Sequence, residues 1–255
     1  MKDGLLTATF SETTDDAAFN AAIPTLIAKG VQAVSIRGAP LRSLGPVTGM
    51  PGLQTLDICG TQIRDVTGLA MLTSLRSLNL QFLPISDLTP LSHLTGLRFL
   101  NIGGTEVHDL APLAALTNLR DLVIAVTKVN DLTPLTTLIQ LTSLDLGNTW
   151  VSNVQALAGL RNLRDLKLNG TRVADLQPLG HMVNLRDLDV AATGVSDMQP
   201  LARLPDLRSL NIEGTLVADL RPLASLTGLR SLALGGSLVS DITPLANLPD
   251  LAIRR

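Results

Sequence analysis

The sequence predicts an α/β solenoid, in which short coils of equal length stack side by side and each coil adds one strand to a parallel sheet. Three observations lead to this prediction. Apolar residues recur in phase every 22 residues from Val31 to Asp250. Each coil alternates like a short strand and then returns with apolar residues at spacings of three. A polar residue suited to start a helical turn precedes each return. A fixed short period is typical of solenoids, because one coil cannot bury its own apolar face.

The period divides the chain into three parts. Residues 1–30 are expected to form an N-terminal helical cap, residues 31–250 form ten coils of 22 residues, and residues 251–255 begin a truncated eleventh. The coils begin at Val31, Leu53, Leu75, Leu97, Leu119, Leu141, Leu163, Leu185, Leu207 and Leu229. No coil gains or loses a residue, so the pattern predicts one elongated domain and not two globular ones.

The coil that begins at Leu53 shows how each coil should fold. Leu56 and Ile58 alternate with outward residues, among them Asp57 and Cys59, as in a strand with one buried face. The chain then turns, and a 3₁₀ or short helical segment returns on the other side. The seven residues expected to converge inside this coil are Leu53, Leu56, Ile58, Ile63, Val66, Leu69 and Leu72.

Polar residues at two fixed positions should close each coil. The first position precedes the return and holds a residue that can accept a backbone N–H, followed in most coils by proline three residues on. Its residues are Ser43, Asp65, Asp87, Asp109, Asp131, Asn153, Asp175, Asp197, Asp219 and Asp241. The second position, in the turn after the strand, is threonine in seven coils, where it can hydrogen-bond buried backbone. Leu83 replaces this threonine, so the third coil should differ locally.

The segment before the first coil reads as a helical cap. Thr14, Asp15 and Asp16 are helix-start signals and Gly30 is a stop signal. Pro24 should split the segment into two short helices. The face expected to pack on the first coil consists of Phe19, Ile23, Leu26 and Ile27.

The coils resemble bacterial leucine-rich repeats, specifically the 22-residue class of the internalins. The shared pattern is L-x-x-L-x-L-x-x-T-x-V-x-D-L-x-P-L-x-x-L, nearly complete from Leu163 to Asn184 and from Leu207 to Gly228. The resemblance implies a right-handed, curved solenoid with a parallel sheet on the concave face and 3₁₀ or short helices on the convex face. It also implies binding of other proteins on the concave face. The chain departs from the family where threonine replaces the usual asparagine, and it shows neither an export signal nor a cell-wall anchor.

Composition excludes several classes of function. The formal charge of −2 provides no basic field for nucleic acid, and no apolar stretch is long enough to span a membrane. Metal-ligand spacings are absent, and Cys59 has no evident activating base. Cys59 is the one cysteine, which excludes an internal disulfide. We therefore expect no catalytic residue, no cofactor and no metal, and no partnership with nucleic acid or membrane.

A candidate protein-binding patch lies in coils three to six. Aromatic residues make up only 2% of the chain, and in the coils they occur at outward positions. Phe99 should lie beside Ser77 and Asp121 on the sheet, since equivalent residues of adjacent coils are neighbours. Exposed apolar clusters with aromatic residues often mark interfaces. The alternative is that Phe82 and Leu83 pack down to fill a local gap. The candidate contact residues are Phe82, Phe99, Val123, Val126, Lys128, Trp150, Arg98, Arg120, Asp121 and Asp145.

Arg98 and Arg120 belong to a row of arginines that stand second in their coils. One interpretation is a solvated ladder, in which arginine stems cover apolar edges and the charged ends pair with aspartates. The other is recognition of an acidic partner, which salt would weaken. The row consists of Arg76, Arg98, Arg120, Arg164, Arg186, Arg208 and Arg230.

Together these patterns predict a non-enzymatic scaffold that binds a protein partner through the concave face, in a bacterial effector or virulence-type protein. A first alternative is the substrate-recognition part of a larger effector enzyme, a ligase or nucleotidyl transferase, whose catalytic domain follows Arg255. A second is a structural protein that self-associates through its C-terminal edge near Ile253. We expect a monomer with at most weak self-association, and no cleaved signal peptide, so the protein would be cytoplasmic or enter a host cell by a signal-independent route.

Overall fold

The computed structural model describes residues 5–255, and the chain divides after Val123 into two compact units. Residues 1–4 of the expected N-terminal cap lie outside the described residues. Each unit is a solenoid of the predicted class, with short parallel strands on one side and 3₁₀ segments on the other.

Within residues 5–123, the N-terminal unit contains one helix and six strands. The helix α1 spans Asp16–Ala28. The strands are β1 (Thr7–Thr9), β2 (Ala33–Ser35), β3 (Thr55–Asp57), β4 (Ser77–Asn79), β5 (Phe99–Asn101) and β6 (Asp121–Val123). Each strand pairs in parallel with the next one in sequence. The returning 3₁₀ segments are Gly45–Gly49, Thr67–Met71, Thr89–Leu91 and Ala111–Leu113.

The C-terminal unit repeats this arrangement without a helix of its own among the described residues. Its strands are β7 (Ser143–Asp145), β8 (Asp165–Lys167), β9 (Asp187–Asp189), β10 (Ser209–Asn211), β11 (Ser231–Ala233) and β12 (Ala252–Arg254), again parallel in chain order. The 3₁₀ segments are Thr133–Thr137, Gln155–Leu157, Gln177–Leu179, Gln199–Leu201, Arg221–Leu223 and Thr243–Leu245.

The register follows the 22-residue period until the last pair of strands. Within the array a residue such as Leu210 pairs with its equivalent Leu232. At the end, Leu232 pairs with Ile253, 21 residues on, and not with Arg254. A strict period would turn Arg254 toward the core, because a one-residue shift moves every side chain of a strand to the other face. The shift lies within the truncated eleventh coil, after residue 250, and keeps its aliphatic residue inward.

The core is aliphatic, as predicted. The seven inward residues of the Leu53 coil are all 4% exposed or less. Equivalent residues of later coils behave alike, for example Leu163, Leu166 and Leu168. Stacking therefore buries the apolar face that one coil alone would leave in water.

Hydrogen bonds at the two fixed polar positions close the coils. The side chains of Ser43, Asn153 and the eight aspartates each accept the backbone N–H two residues on, at 2.7–3.0 Å. The seven turn threonines are buried, and each hydroxyl donates to the carbonyl three residues earlier, at 2.6–2.9 Å. Both positions thus satisfy backbone groups, which supports their structural interpretation.

Five of these aspartates have a lowered pKa. Side-chain hydrogen bonds from Thr89, Thr133 and Arg221 are the largest cause at Asp87, Asp131 and Asp219, with backbone bonds from the same residues next. At the other two, the largest cause is a backbone N–H. These two are Asp65, bonded by Thr67, and Asp241, bonded by Thr243.

The third coil differs where threonine is missing. Leu83 is buried, and its N–H donates to the Leu80 carbonyl while its own carbonyl accepts the N–H of Ile85. The Leu80 carbonyl thus keeps the backbone N–H bond that threonine coils also have, as from Thr61 to Ile58, but leucine offers no hydroxyl to donate a second one. The predicted local difference is therefore present.

The N-terminal segment forms one continuous helix, so the prediction of two short helices is wrong. Asp15 caps α1 by accepting the N–H of Ala18 at 2.8 Å, and Gly30 follows the helix with φ +65°. Pro24 does not split the segment, since α1 continues through it. Proline removes one helical hydrogen bond, but Phe19 and Ile23 on the buried face hold the helix together across that loss.

Two further details of this segment were not anticipated. Leu26 is only partly buried and Ile27 is 46% exposed, so the packing face is narrower than expected. The strand β1 precedes the helix and pairs with β2. Its sequence, Thr7–Thr9, is too short and too polar to show strand alternation.

Candidate protein-binding surface

Eight of the ten candidate residues fall on two surfaces, the other two precede strands, and the ten are divided between both units. We call the outward residues of the strands the sheet face, and the residues that follow the carboxyl ends of the strands the turn edge. In the N-terminal unit, Phe99, Asp121 and Val123 are on the sheet face, Phe82 is on the turn edge, and Arg98 and Arg120 stand at the starts of strands. In the C-terminal unit, Asp145 is on the sheet face, and Val126, Lys128 and Trp150 are on the turn edge.

Phe99 has the neighbours that the period predicts. It pairs with Ser77 on β4 and with Asp121 on β6. The same row continues through Thr55 to Ala33, so small side chains flank the ring on one side. Phe99 is half-buried, and its side chain is the largest in this row. It offers a large apolar contact beside the carboxylate of Asp121.

Asp145 has a structural role that the sequence reasoning missed. Its Oδ1 accepts the N–H of Gly147 at 3.0 Å, and its Oδ2 lies 3.1 Å from Nζ of Lys167. Asn101 makes the same turn hydrogen bond to Gly103, at 2.9 Å. Val123, which pairs with Asn101, has no side-chain acceptor to offer at this position. The recurring Asp or Asn at the last residue of the strands was the available signal.

Phe82 and Val126 occupy a row whose backbone has a positive φ in every coil. Six coils have glycine there, with φ between +65° and +69°. Phe82 and Val126 both have φ +61°, a conformation that favours glycine and is especially costly for a β-branched side chain. Both are more than half exposed, at 57% and 56%. Strained residues of this kind concentrate at functional sites.

The packing alternative for Phe82 and Leu83 is half right. Leu83 is buried, whereas Phe82 remains exposed. One edge of the Phe82 ring rests on Gly104 of the next coil, at a point where a Cβ on that glycine would collide with the ring. The ring therefore contacts the neighbouring turn along one edge, while more than half of the residue stays exposed.

Trp150 stands in a second turn-edge row, two residues after the positive-φ row. The backbone N–H of Trp150 donates to the carbonyl of Val129, and the guanidinium carbon of Arg172 lies 5.8 Å from the centre of the indole ring. This distance suits a cation–π contact. The ring is half exposed, and Lys128 precedes it in the same row. Farther along this row Leu216 and Leu238 are also exposed, at 55% and 60%, which the sequence reasoning did not identify.

The arginine row uses backbone carbonyls as well as carboxylates. Nη1 of Arg76 donates to the carbonyl of Leu75 at 3.3 Å. Arg230 donates to two backbone carbonyls and lies 3.9 Å from Asp250. Arg98 and Arg120 are exposed. Arginines of this row thus hydrogen-bond backbone carbonyls near the starts of the strands. Recognition of an acidic partner by Arg98 and Arg120 stays a prediction.

Cys59 is placed differently from the prediction. It is 8% exposed and not open to solvent, because Gln81 of the next coil lies against it, with Sγ 3.8 Å from Oε1. Within residues 5–255 no group of three or more His, Cys, Asp and Glu side chains is arranged to hold a metal ion. No helix in that range is long and apolar enough to cross a membrane.

The likeness to known proteins runs along most of the chain. A family model described as leucine-rich repeats, two copies, matches residues 51–93. An internalin (inlF) of Listeria monocytogenes is similar over 88% of this chain and 80% of its own, with 26% identity and a TM-score of 0.67. No curated protein sequence matches the chain.

Two other solved structures add to this likeness. A leucine-rich repeat protein of Leptospira interrogans shares the fold, with a TM-score of 0.78 at 16% identity over 88% of this chain and 66% of its own. Internalin C2 of Listeria monocytogenes is 30% identical over 75% of this chain and 76% of its own, with a TM-score of 0.55. The protein therefore belongs to the internalin-like family of bacterial leucine-rich repeat proteins.

Proposed function

We propose that this chain is a non-enzymatic scaffold that binds a protein partner, and that its aromatic side chains outside the core are the main contacts. On the sheet face the contact centres on Phe99, with Asp121 and Val123 beside it. On the turn edge the contacts are Phe82 in the N-terminal unit and Trp150 with its neighbours in the C-terminal unit.

The observation that carries this proposal is the position of the aromatic residues of the coils. The core of the coils is aliphatic, yet Phe82 and Trp150 are at least half exposed and Phe99 is half-buried on the sheet face. Aromatic side chains in water gain no burial until a partner covers them, and they are frequent hot spots of protein interfaces. The strained backbone conformation of Phe82 and Val126 lowers stability, which supports a role for these side chains in binding.

The physical basis of binding is preorganisation. A polar side chain before the return closes each coil by a hydrogen bond, and a threonine hydroxyl adds another in seven coils, so the residues that carry the contacts are held in place before the partner arrives. Little conformational entropy is then lost on docking, and a modest number of contacts is enough for useful affinity.

Site-specific photocrosslinking tests the proposal. A photoreactive phenylalanine analogue would replace Phe99 or Trp150 in turn, and matched controls would carry it at Met71 or Val183. Both controls are apolar residues on the side of the coils that carries the 3₁₀ segments, and they are 69% and 49% exposed to solvent. The expected result is one cross-linked protein common to positions 99 and 150 and absent at positions 71 and 183. Equal labelling at all four positions would contradict the proposal.

The biological setting is part of the same proposal. Kinship with internalins supports an effector-type role, in which the scaffold engages a protein of another organism. Under this proposal the cross-linked partner comes from a host-cell extract and not from the bacterium's own extract. A partner found only in the bacterial extract would contradict the effector-type role while leaving the scaffold proposal intact.

A further inference from the structure

A groove on the turn edge of the N-terminal unit combines positive charge with an aromatic wall. It has a volume of about 530 Å³ and is lined by Arg42, Thr61, Gln62, Arg64, Phe82 and Pro84. Arg42, Arg64 and the Phe82–Pro84 pair come from the first, second and third coils, so charge and apolar surface follow one another along the stack.

The two arginines have no carboxylate partner among the described residues. Arg42 and Arg64 are exposed, and neither makes an ion pair within residues 5–255. Nε of Arg42 donates to Oε1 of Gln62 at 3.3 Å, which steadies one guanidinium at the groove wall. No acidic side chain lines the groove.

Two acidic residues near these arginines, Asp16 and Asp65, accept hydrogen bonds from backbone N–H groups. Oδ1 of Asp16 accepts the backbone N–H groups of Arg42 and Ser43 at 3.1 and 3.3 Å. Oδ1 of Asp65 accepts from both the backbone and the hydroxyl of Thr67. Arg42 and Arg64 thus line the groove side by side without a carboxylate in ion-pair contact, an arrangement that favours an anionic ligand, while Asp65 and Asp87 line the adjoining groove on the other side of Arg64.

The far end of the groove is apolar. One edge of the Phe82 ring lies against Gly104, and more than half of the residue is exposed to solvent. Pro84 is half-buried beside it and cannot donate a hydrogen bond. This end suits an aliphatic or aromatic side chain, because such a group would cover the ring without leaving a polar atom unpaired.

We propose that this groove binds an extended peptide segment of the pattern acidic-x-acidic-x-apolar. Alternate residues of an extended chain share a face and lie about 6.7 Å apart, and adjacent coils lie about 4.8 Å apart. The arginine side chains are flexible enough to bridge the difference between these two spacings. The two carboxylates of the peptide can therefore reach Arg42 and Arg64 while its apolar side chain covers Phe82. A two-arginine groove on a chain of net charge −2 favours such a peptide over nucleic acid. The assignment rests on the proposed scaffold function, since Phe82 is among its contacts.

Nuclear magnetic resonance of the isotope-labelled 255-residue chain tests the groove directly. The probe is acetyl-Glu-Ser-Glu-Ser-Leu-amide, and the control peptides replace both glutamates by glutamine or the leucine by serine. We expect saturable shifts of the Thr61, Gln62 and Phe82 amide signals, with a Kd of about 1 mM. Each control peptide should bind several-fold more weakly.

Matched variants separate charge from packing. Arg42→Gln with Arg64→Gln should weaken the probe about tenfold, because two exposed ion pairs are lost. Phe82→Gly restores the residue of six other coils, so it should reduce affinity without unfolding the coil. The control, Arg161→Gln with Arg203→Gln, removes two exposed arginines far along the sequence and should change nothing.

Three results would overturn the assignment. They are an absence of saturable shifts at these amides, equal shifts from the glutamine peptide, and equal shifts from inorganic phosphate at the same concentration. The scaffold function fails separately, through the photocrosslinking at positions 99 and 150. If the probe does not bind but Phe99 and Trp150 still cross-link one partner, only the groove assignment is wrong.

Discussion

Replacing Val126 with glycine should make this protein more stable, although removing a valine normally does the opposite. Val126 has φ +61° and is 56% exposed. Relief of a β-branched residue from this conformation should return about 2 kcal/mol. Complete burial of valine is worth about 1.5–3 kcal/mol, so less than half of that, about 0.7 kcal/mol, is lost. The greater conformational freedom of glycine in the unfolded chain lowers the stability by about another 0.7 kcal/mol. The net gain is about 0.5 kcal/mol.

Val123→Gly is the matched control for this prediction. Val123 is the same residue type three positions earlier, half-buried in β6 and without a positive φ. Its loss should destabilise by about 1–2 kcal/mol, through lost burial and weakened strand propensity. Thermal unfolding followed by circular dichroism would measure both variants.

The two valine variants should shift the Tm in opposite directions. We expect an increase of about 1–2 °C for Val126→Gly and a decrease of about 2–5 °C for Val123→Gly, given the size of the chain. If Val126→Gly melts as far below the wild type as Val123→Gly does, the left-handed conformation is not strained. The argument that Val126 is kept for binding would then lose its physical basis.

Three further predictions follow from the coil interior and the turns. Thr171→Val removes the hydroxyl that donates to the Leu168 carbonyl and leaves it only the backbone N–H of residue 171, so it should cost about 1 kcal/mol in urea unfolding. Thr95→Val at an exposed site should change little. The five turn aspartates whose pKa is lowered from 3.8 stabilise the fold when they are charged, because the pKa is lower in the folded state than in the unfolded state. Their contribution to the free energy of unfolding should therefore be constant above about pH 5 and should be lost as the pH falls below about 4. A urea midpoint that is flat from pH 6 to about pH 3 would contradict this sign. Arg172→Gln should increase acrylamide quenching of Trp150, the single tryptophan, because Arg172 shields the ring; unchanged quenching would exclude that contact.

The repeat made most of the fold predictable. A fixed period sets which residues are neighbours in adjacent coils, so the pairing of Phe99 with Ser77 and Asp121 was predictable without coordinates. The inward aliphatic residues and the turn threonines follow from the same period, because every coil places them in the same environment. Family membership, also predicted, is confirmed by the likeness to internalins.

What the sequence did not reveal depends on local geometry that the period does not encode. The continuity of α1 through Pro24 reflects burial of its neighbours, and the shift at Ile253 reflects the cost of turning Arg254 inward. The left-handed backbone at Phe82 was signalled by glycine in equivalent coils, but only the dihedral angle showed that Phe82 adopts it too. The candidate contact residues divide between two surfaces, since a residue's place in the repeat fixes its row and not its exposure.

The affinity of the photocrosslinked partner for matched variants tests the central claim most directly. Titration calorimetry would compare the wild type, Phe99→Ala with Trp150→Ala, and the control Met71→Ala with Val183→Ala. If the outward aromatics are the main contacts, the first pair weakens binding by about 10- to 100-fold with the Tm within about 2 °C of the wild type, and the control binds normally. Normal binding by the first pair, together with a Tm lowered by about 5 °C or more, would show that these rings serve packing and not recognition.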